Sequence, residues 1–348
     1  MTDLATGLRT PSAADGPSEA PRYPPELPAI IALVADKLLR VEEECRRNLR
    51  SEVGAIDELG RYLADGGGKR IRPILLLLAT QMCGYKGDRD VLFASVFEFI
   101  HTATLVHDDV IDEAETRRGR GTMNARWGNG LTVLLGDYLY IKSMNMALDA
   151  DDIRIIRILA QITLKMIEGE IVADRKRGQI GMTEEEHLEV IRRKTAYLFA
   201  GCGRVAGVLS GLEPRRLESI ADYGMNLGMA FQIADDLLDV TADSRTLGKP
   251  AASDLKEGKL TLPLIYLLET ASGSEREMVR TVLEEGEFLT VSRDEILALL
   301  RRHRTLERTR ELAAGYALKA RQALVLFPPS PARDALLFLP QFVVSRQY

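Results

Sequence analysis

From Ala29 onward the chain carries helical periodicity almost without interruption, and no other feature narrows its possible folds so much. Ala29–Leu63 spaces Ile30, Leu33, Val34, Leu38, Val41, Cys45 and Leu49 three or four residues apart among charged ones, an amphipathic helical pattern. Pro73–Met82 is strongly apolar, which predicts a buried helix with Pro73 in its first turn. Further helices are expected over Val91–Asp112, Gly130–Leu148, Asp152–Asp174, Thr183–Leu209 and Pro214–Val240. Others follow over Thr261–Ala271, Ser274–Glu284, Ser292–Arg302 and Thr305–Leu326. Thr183 with Glu186, and Ser292 with Glu295, have the spacing of capping boxes. No stretch alternates with period two for long enough to be a strand. The expected fold is all-α, a large helical bundle around a central cavity.

Residues 1–28 differ in composition, holding Pro11, Pro17, Pro21, Pro24, Pro25 and Pro28 among the 14 prolines of the chain. Such a segment buries too little apolar surface to offset its ordering entropy, so a partly disordered tail is expected before a single all-α domain over residues 29–348. The 348 residues include 46 Lys plus Arg against 51 Asp plus Glu, a net charge of −5 that argues against a dedicated nucleic-acid binder. Cys45, Cys83 and Cys202 are widely spaced and form no C-x-x-C pair, so neither a disulfide framework nor a zinc site is expected. No membrane span and no secretory signal is expected, and the chain reads as cytoplasmic.

Leu105-Val106-His107-Asp108-Asp109-Val110-Ile111-Asp112 places three carboxylates at i, i+1 and i+4 of an apolar helix. Like charges at that spacing destabilise an isolated helix. The same spacing returns in Phe231-Gln232-Ile233-Ala234-Asp235-Asp236-Leu237-Leu238-Asp239. One such cluster reads as a solvated helix end; two of identical spacing point to hard oxygen ligands for Mg²⁺, shared with substrate phosphates. Arg117 and Arg118 follow the first cluster and suit bidentate phosphate contact. Upstream, Gly66-Gly67-Gly68-Lys69-Arg70-Ile71-Arg72-Pro73 feeds three cations into a helix start, which favours anions. The Walker spacing is absent, and no aromatic interleaving supports RNA contact.

These residues resemble the trans-polyprenyl diphosphate synthases, over nearly all of the chain from about residue 30. The resemblance rests on Gly67 through Pro73, His101 through Asp112 with Arg117-Arg118-Gly119, Gly136-Asp137, Gly169-Glu170 and Lys194-Thr195. It continues through Phe231–Asp239, Gly248-Lys249-Pro250, Asp254, Gly258-Lys259 and Thr261-Leu262-Pro263. It implies the isoprenoid synthase type I fold. It also implies that Asp108, Asp109 and Asp112 with Asp235, Asp236 and Asp239 hold up to three Mg²⁺ on an allylic diphosphate. Arg117, Lys194, Lys249 and Lys259 would contact that diphosphate, and Lys69, Arg72, His101 and Arg118 would bind isopentenyl diphosphate. Thr195 and Gln232 would turn carbonyl or amide dipoles towards the allylic cation. Departure of diphosphate leaves a carbocation, so charge stabilisation on the leaving oxygens is the main demand. The released diphosphate would take the final proton, consistent with the lack of a Ser-His-Asp or Cys-His arrangement. Ala173 stands where family members often carry Gln, and Gly121 where Pro is frequent.

Product length in such enzymes is gauged just upstream of the first cluster. Ala103 and Thr104 are small, which leaves the path of the growing chain open, while Phe99 lies one turn below as a wall or floor. Met144 or Met146 on the next helix is a candidate second stop, with plain core packing the alternative. The run Glu98–Thr104 looks most like the octaprenyl and solanesyl type, so a heptaprenyl-to-decaprenyl product is expected. A geranylgeranyl diphosphate synthase is the alternative. A non-catalytic subunit would be expected to lose aspartates, and a class I terpene cyclase to lack the Lys69/Arg72 site. The resemblance further implies a homodimer.

Overall fold

The computed structural model describes residues 26–117, 119–241 and 252–346. Most of the expected tail, Arg118 and the Gly248-Lys249-Pro250 motif lie outside the described residues. In chain order the helices are α1 (Glu26–Ala32), α2 (Ala35–Leu49), α3 (Gly54–Ala64), α4 (Ile71–Met82), α5 (Arg89–Ile111), α6 (Met123–Leu148) and α7 (Ile153–Lys176). They continue as α8 (Glu184–Ile191), α9 (Tyr197–Leu209), α10 (Pro214–Thr241), α11 (Ser253–Lys256) and α12 (Leu262–Thr270). Last come α13 (Gly273–Glu285), α14 (Arg293–Arg302), α15 (Thr305–Ala323) and α16 (Pro331–Ser345). The all-α expectation holds: among the described residues the strands are two-residue β1 (Thr116–Arg117) and β2 (Arg120–Gly121), antiparallel about Gly119.

Residues 29–348 read as one domain in sequence; the contacts group the chain into two compact units of the same helical class. The first runs to Arg157 and adds Val205–Pro214 and Phe327–Leu336. Its centre is α4, buried on every side from Pro73 to Thr80, as expected of a helix apolar all round. Pro73 sits in the first turn, where its missing N–H is harmless. The α5 helix packs beside it with Phe93, Phe97 and Ile100 fully buried.

The second unit comprises Ile158–Arg204, Arg215–Leu326 and the residues from Leu337 on. One core cluster joins Leu264 and Leu267 of α12 to Val279 and Val282 of α13 and Ile296 and Leu300 of α14. Another joins Met229 and Ile233 of α10 to Leu262, Tyr266 and Ala313. The capping boxes at Thr183/Glu186 and Ser292/Glu295 form as expected, and Ser272/Glu275 adds a third.

Several helices differ from expectation at their breaks. Ala29–Leu63 is three helices, because Arg50 turns extended and the Ser51 hydroxyl accepts the Val53 N–H, a local bond that competes with helix. Thr183–Leu209 is interrupted by a π-helical turn at Arg192–Ala196. The α6 helix starts at Met123 and kinks at Gly128, whose φ of 80° suits glycine. Helix α16 is additional to the expected set, and α1 begins inside the expected tail.

Two glycines set the approach of α9 to α10. A Cβ at Gly203 would fall inside 3.0 Å of the Ile220 backbone, and one at Gly224 inside 3.0 Å of the Phe199 and Ala200 backbone. Backbone cannot yield as a side-chain tip does, so Gly224→Ala is expected to destabilise the fold by about 1–3 kcal/mol. Denaturant unfolding of the purified variant checks this; an unchanged midpoint contradicts the packing.

Candidate active site

The first aspartate cluster closes α5. Asp108 and Asp112 are half-buried and Asp109 is buried. Beyond the helix the chain turns through the β1–β2 hairpin, where Gly119 (φ 72°) allows the reversal and Arg117 comes back over the helix end. Its Nε donates to Asp109 Oδ1 at 2.6 Å. Tyr62 fixes the hairpin by donating to the Gly121 carbonyl at 2.6 Å, and the Arg120 guanidinium stacks 4.3 Å from the Tyr62 ring centroid. Burial pushes the Asp109 carboxyl pKa up from its ordinary value, and Arg117 pulls the other way without cancelling it.

The other family motifs of this unit surround α5. Lys69 is exposed and Arg72 half-buried at the start of α4, and half-buried His101 sits two turns before Asp108. Ala103 is buried; Thr104 is half-buried and donates to the His101 carbonyl at 2.8 Å. Phe99, also buried, lines a small cavity of about 40 Å³ together with Glu42, Cys45, Arg70, Glu98 and Thr102. Met146 is buried and Met144 half-buried on α6. The Gly136-Asp137 motif has a packing reason: a Cβ at Gly136 would collide with the His107 ring, whose Nε2 lies 3.2 Å from the Val133 carbonyl.

The second cluster lies on α10, and each of its carboxylates is held by residues far away in sequence. His187 Nε2 is 2.7 Å from Asp236 Oδ2, which also accepts the Leu262 N–H at 3.3 Å. Arg346 pairs with Asp235, donates to the Phe231 carbonyl at 2.9 Å and lies over the Phe231 ring. Asp239 Oδ1 accepts from Ser253 Oγ at 3.1 Å. Gln232 accepts from Thr195 Oγ1 at 3.0 Å, which joins two of the expected residues. The Lys194 ammonium is 2.5 Å from Glu170, and the Lys259 ammonium is 2.9 Å from Glu257. Gly169 admits the π turn: a Cβ there would press on Arg193 and the Lys194 backbone. Short π segments recur at functional sites, and this one carries Lys194 and Thr195.

Sequence reasoning missed His187, Arg346, His107 and the π turn. Thr183-x-x-Glu186 announces the helix that holds His187, but nothing local marks His187 or Arg346 as partners of aspartates 49 and 111 residues away.

Among the described residues, no three His, Cys, Asp or Glu side chains converge closely enough to cage a metal. The donor set of the two clusters is all carboxylate oxygen, which fits Mg²⁺ shared with substrate phosphates. The burial cost that raises the Asp109 pKa is one a bound cation would relieve.

A sequence model of the polyprenyl synthetase family matches residues 53–299. The chain belongs to that family. It is 38% identical over 320 residues to an octaprenyl diphosphate synthase of Escherichia coli, covering 92% of this chain and 99% of the relative. A decaprenyl diphosphate synthase structure from Rhodobacter capsulatus superposes with a TM-score of 0.87 at 39% identity, covering 92% of this chain and 99% of that one. A polyprenyl synthase structure from Caulobacter crescentus, complexed with calcium and isoprenyl diphosphate, gives 0.89 at 34% identity, covering 94% and 100%. The described fold is therefore the isoprenoid synthase fold of this polyprenyl synthetase family.

The raised Asp109 pKa makes a prediction. The folded chain holds this proton more tightly than the unfolded one, whose value is about 3.9, so the associated stability is present in acid and lost as pH rises through the raised value. Asp109→Asn removes that loss. It is expected to unfold at higher temperature than the wild type near neutral pH, with the gap closing near pH ~4, in thermal unfolding at both values. A lower melting temperature at neutral pH contradicts the assignment.

Proposed function

We propose that this chain is a trans-prenyltransferase that condenses an allylic diphosphate with successive isopentenyl diphosphates into a heptaprenyl-to-decaprenyl diphosphate. The observation that carries the reading is the repeated Asp-Asp-x-x-Asp face on α5 and α10 in a chain of this family, whose similar relatives make octaprenyl and decaprenyl diphosphates. Residues 29–348 would work as one prenyltransferase domain.

Asp108, Asp109, Asp112, Asp235, Asp236 and Asp239 would hold up to three Mg²⁺ with the allylic diphosphate. Bound Mg²⁺ supplies positive charge to the leaving diphosphate oxygens. Arg117, Lys194, Lys249 and Lys259 would contact the same diphosphate; for Lys249 the family resemblance is the only support. Lys69, Arg72, His101 and Arg118 would bind isopentenyl diphosphate, Arg118 again on resemblance alone. The Thr195–Gln232 hydrogen bond supports a shared role, since it fixes both polar groups so that their dipoles steady the allylic cation. The departing diphosphate takes the proton after coupling, so no protein base is assigned. Asp108→Ala and Asp235→Ala are each expected to cut Mg²⁺-dependent turnover by roughly two orders of magnitude or more. Radiolabelled isopentenyl diphosphate incorporation measures this, and retained activity in either variant contradicts the metal ligands.

The small side chains of Ala103 and Thr104 support an open path for a long product, with Phe99 one turn earlier on α5. Incubation with farnesyl and labelled isopentenyl diphosphates, then chromatography of the dephosphorylated alcohols, is expected to show chains of the heptaprenyl-to-decaprenyl class. Products ending at geranylgeranyl overturn the reading. Ala103→Phe is expected to shift the distribution to shorter chains, and an unchanged distribution misplaces the path.

The exposed apolar faces of two helices support a homodimer. On α6, Leu134 (64% exposed) and Ile141 (63%) repeat at seven residues, with Leu131 and Leu148 on the same stripe. On α7, Leu164, Ile167 and Ile171 are exposed at helical spacing. A second copy of the chain would cover them. No described helix is long and apolar enough to cross a membrane, and the cytoplasm is the proposed compartment. Leu134→Glu with Ile141→Glu is expected to convert a sedimenting dimer to a monomer; an unchanged species contradicts the interface.

A further inference from the structure

Lys69, Arg70 and Arg72 look in sequence like three equivalent cations, yet the structure separates them. Arg70 is the residue before α4 and sits at φ 48°, a left-handed conformation that a non-glycine side chain holds only when its surroundings compel it. The compulsion is visible. Arg70 Nε donates to Glu42 Oε1 of α2 at 2.5 Å, and Nη1 donates to Glu98 Oε1 of α5 at 2.5 Å. A third bond runs from Nη2 to Glu42 Oε2 at 3.3 Å. All three side chains are largely buried. Burial opposes the Arg70 charge, but the Glu98 and Glu42 carboxylates outweigh it and raise its pKa. The guanidinium therefore bolts the 65–70 turn to two helices at once, which requires a planar fork of donors. Glu98 stands three residues before His101 on α5, so the same bolt ties the Lys69/Arg72 turn to the helix that carries His101.

We propose that Arg70, though it touches no substrate, is a positioning residue for the isopentenyl diphosphate pocket, fixing Lys69 and Arg72 relative to His101. This rests on the assignment of those three residues to that pocket. Misplacement of phosphate-binding cations weakens the diphosphate they bind, while the allylic diphosphate and the coupling step use other groups.

The test is steady-state kinetics on the full chain with both substrates varied, beside thermal unfolding. Arg70→Met is expected to raise KM for isopentenyl diphosphate about tenfold, with KM for the allylic diphosphate and kcat within about threefold. Arg70→Lys keeps charge but loses the fork and is expected to fall between Arg70→Met and wild type. Glu98→Gln keeps the packing and one hydrogen bond, and is expected to raise the same KM about threefold; it carries the test if Arg70→Met does not fold. A uniform loss of all kinetic parameters tracking the melting temperature would mean a merely structural role and overturn the proposal. So would an unchanged KM in Arg70→Met and Glu98→Gln while Arg72→Ala raises it. If Lys69→Ala and Arg72→Ala themselves leave that KM unchanged, the pocket assignment falls, and the proposal with it.

Discussion

Three carboxylates at i, i+1 and i+4 on an apolar helix repel one another, and burial makes each charge costlier still. The chain carries this burden twice, and much of the surrounding structure follows from it. At the end of α5 the relief comes from a hairpin that returns Arg117 to Asp109. On α10 it comes from His187 of α8, from Arg346 beyond α16, and from Ser253 at the start of α11. Relief is incomplete at Asp109, whose pKa stays raised by burial. The burial cost left at Asp109 is one that a cation would relieve.

The motif glycines serve the same end by allowing close approach. Gly136 lets the His107 ring lie against α6, next to the aspartate cluster. Gly169 lets the π turn press on α7, bringing Lys194 to Glu170 and Thr195 to Gln232. The extra residue of a π turn rotates the side chains that follow, so one glycine and one helical irregularity together place Lys194 and Thr195. Neither feature adds stability by itself; each gives up regular helix or side-chain volume for placement.

What is legible in the sequence is what is local in the structure. Capping boxes at Thr183 and Ser292, the buried helix around Pro73 and the two aspartate faces all depend on spacings of three or four residues. The helix breaks at Leu33–Val34 and Arg50–Val53 escape such a reading, because apolar spacing continues across them and only local bonds, such as that from the Val53 N–H to the Ser51 hydroxyl, reveal the interruption. Arg346 and His187 are invisible for a different reason. Their roles exist only once chain segments 111 and 49 residues apart meet, and neither has an unusual neighbour in sequence.

The same distinction governs the basic residues. Net charge counts Arg70 beside Lys69 and Arg72 as if each were available to a diphosphate. In the folded chain Arg70 is enclosed by Glu42 and Glu98, a group carrying more negative than positive charge. Arg70 therefore adds no net positive charge of its own to the start of α4, and the placement of Lys69 and Arg72 matters more than their number. Residue count therefore overstates the positive potential of this loop, and geometry has to supply what charge alone does not. A rigid fork between two helices meets that need, whereas a flexible loop of three free cations would bind polyanions with little regard to shape.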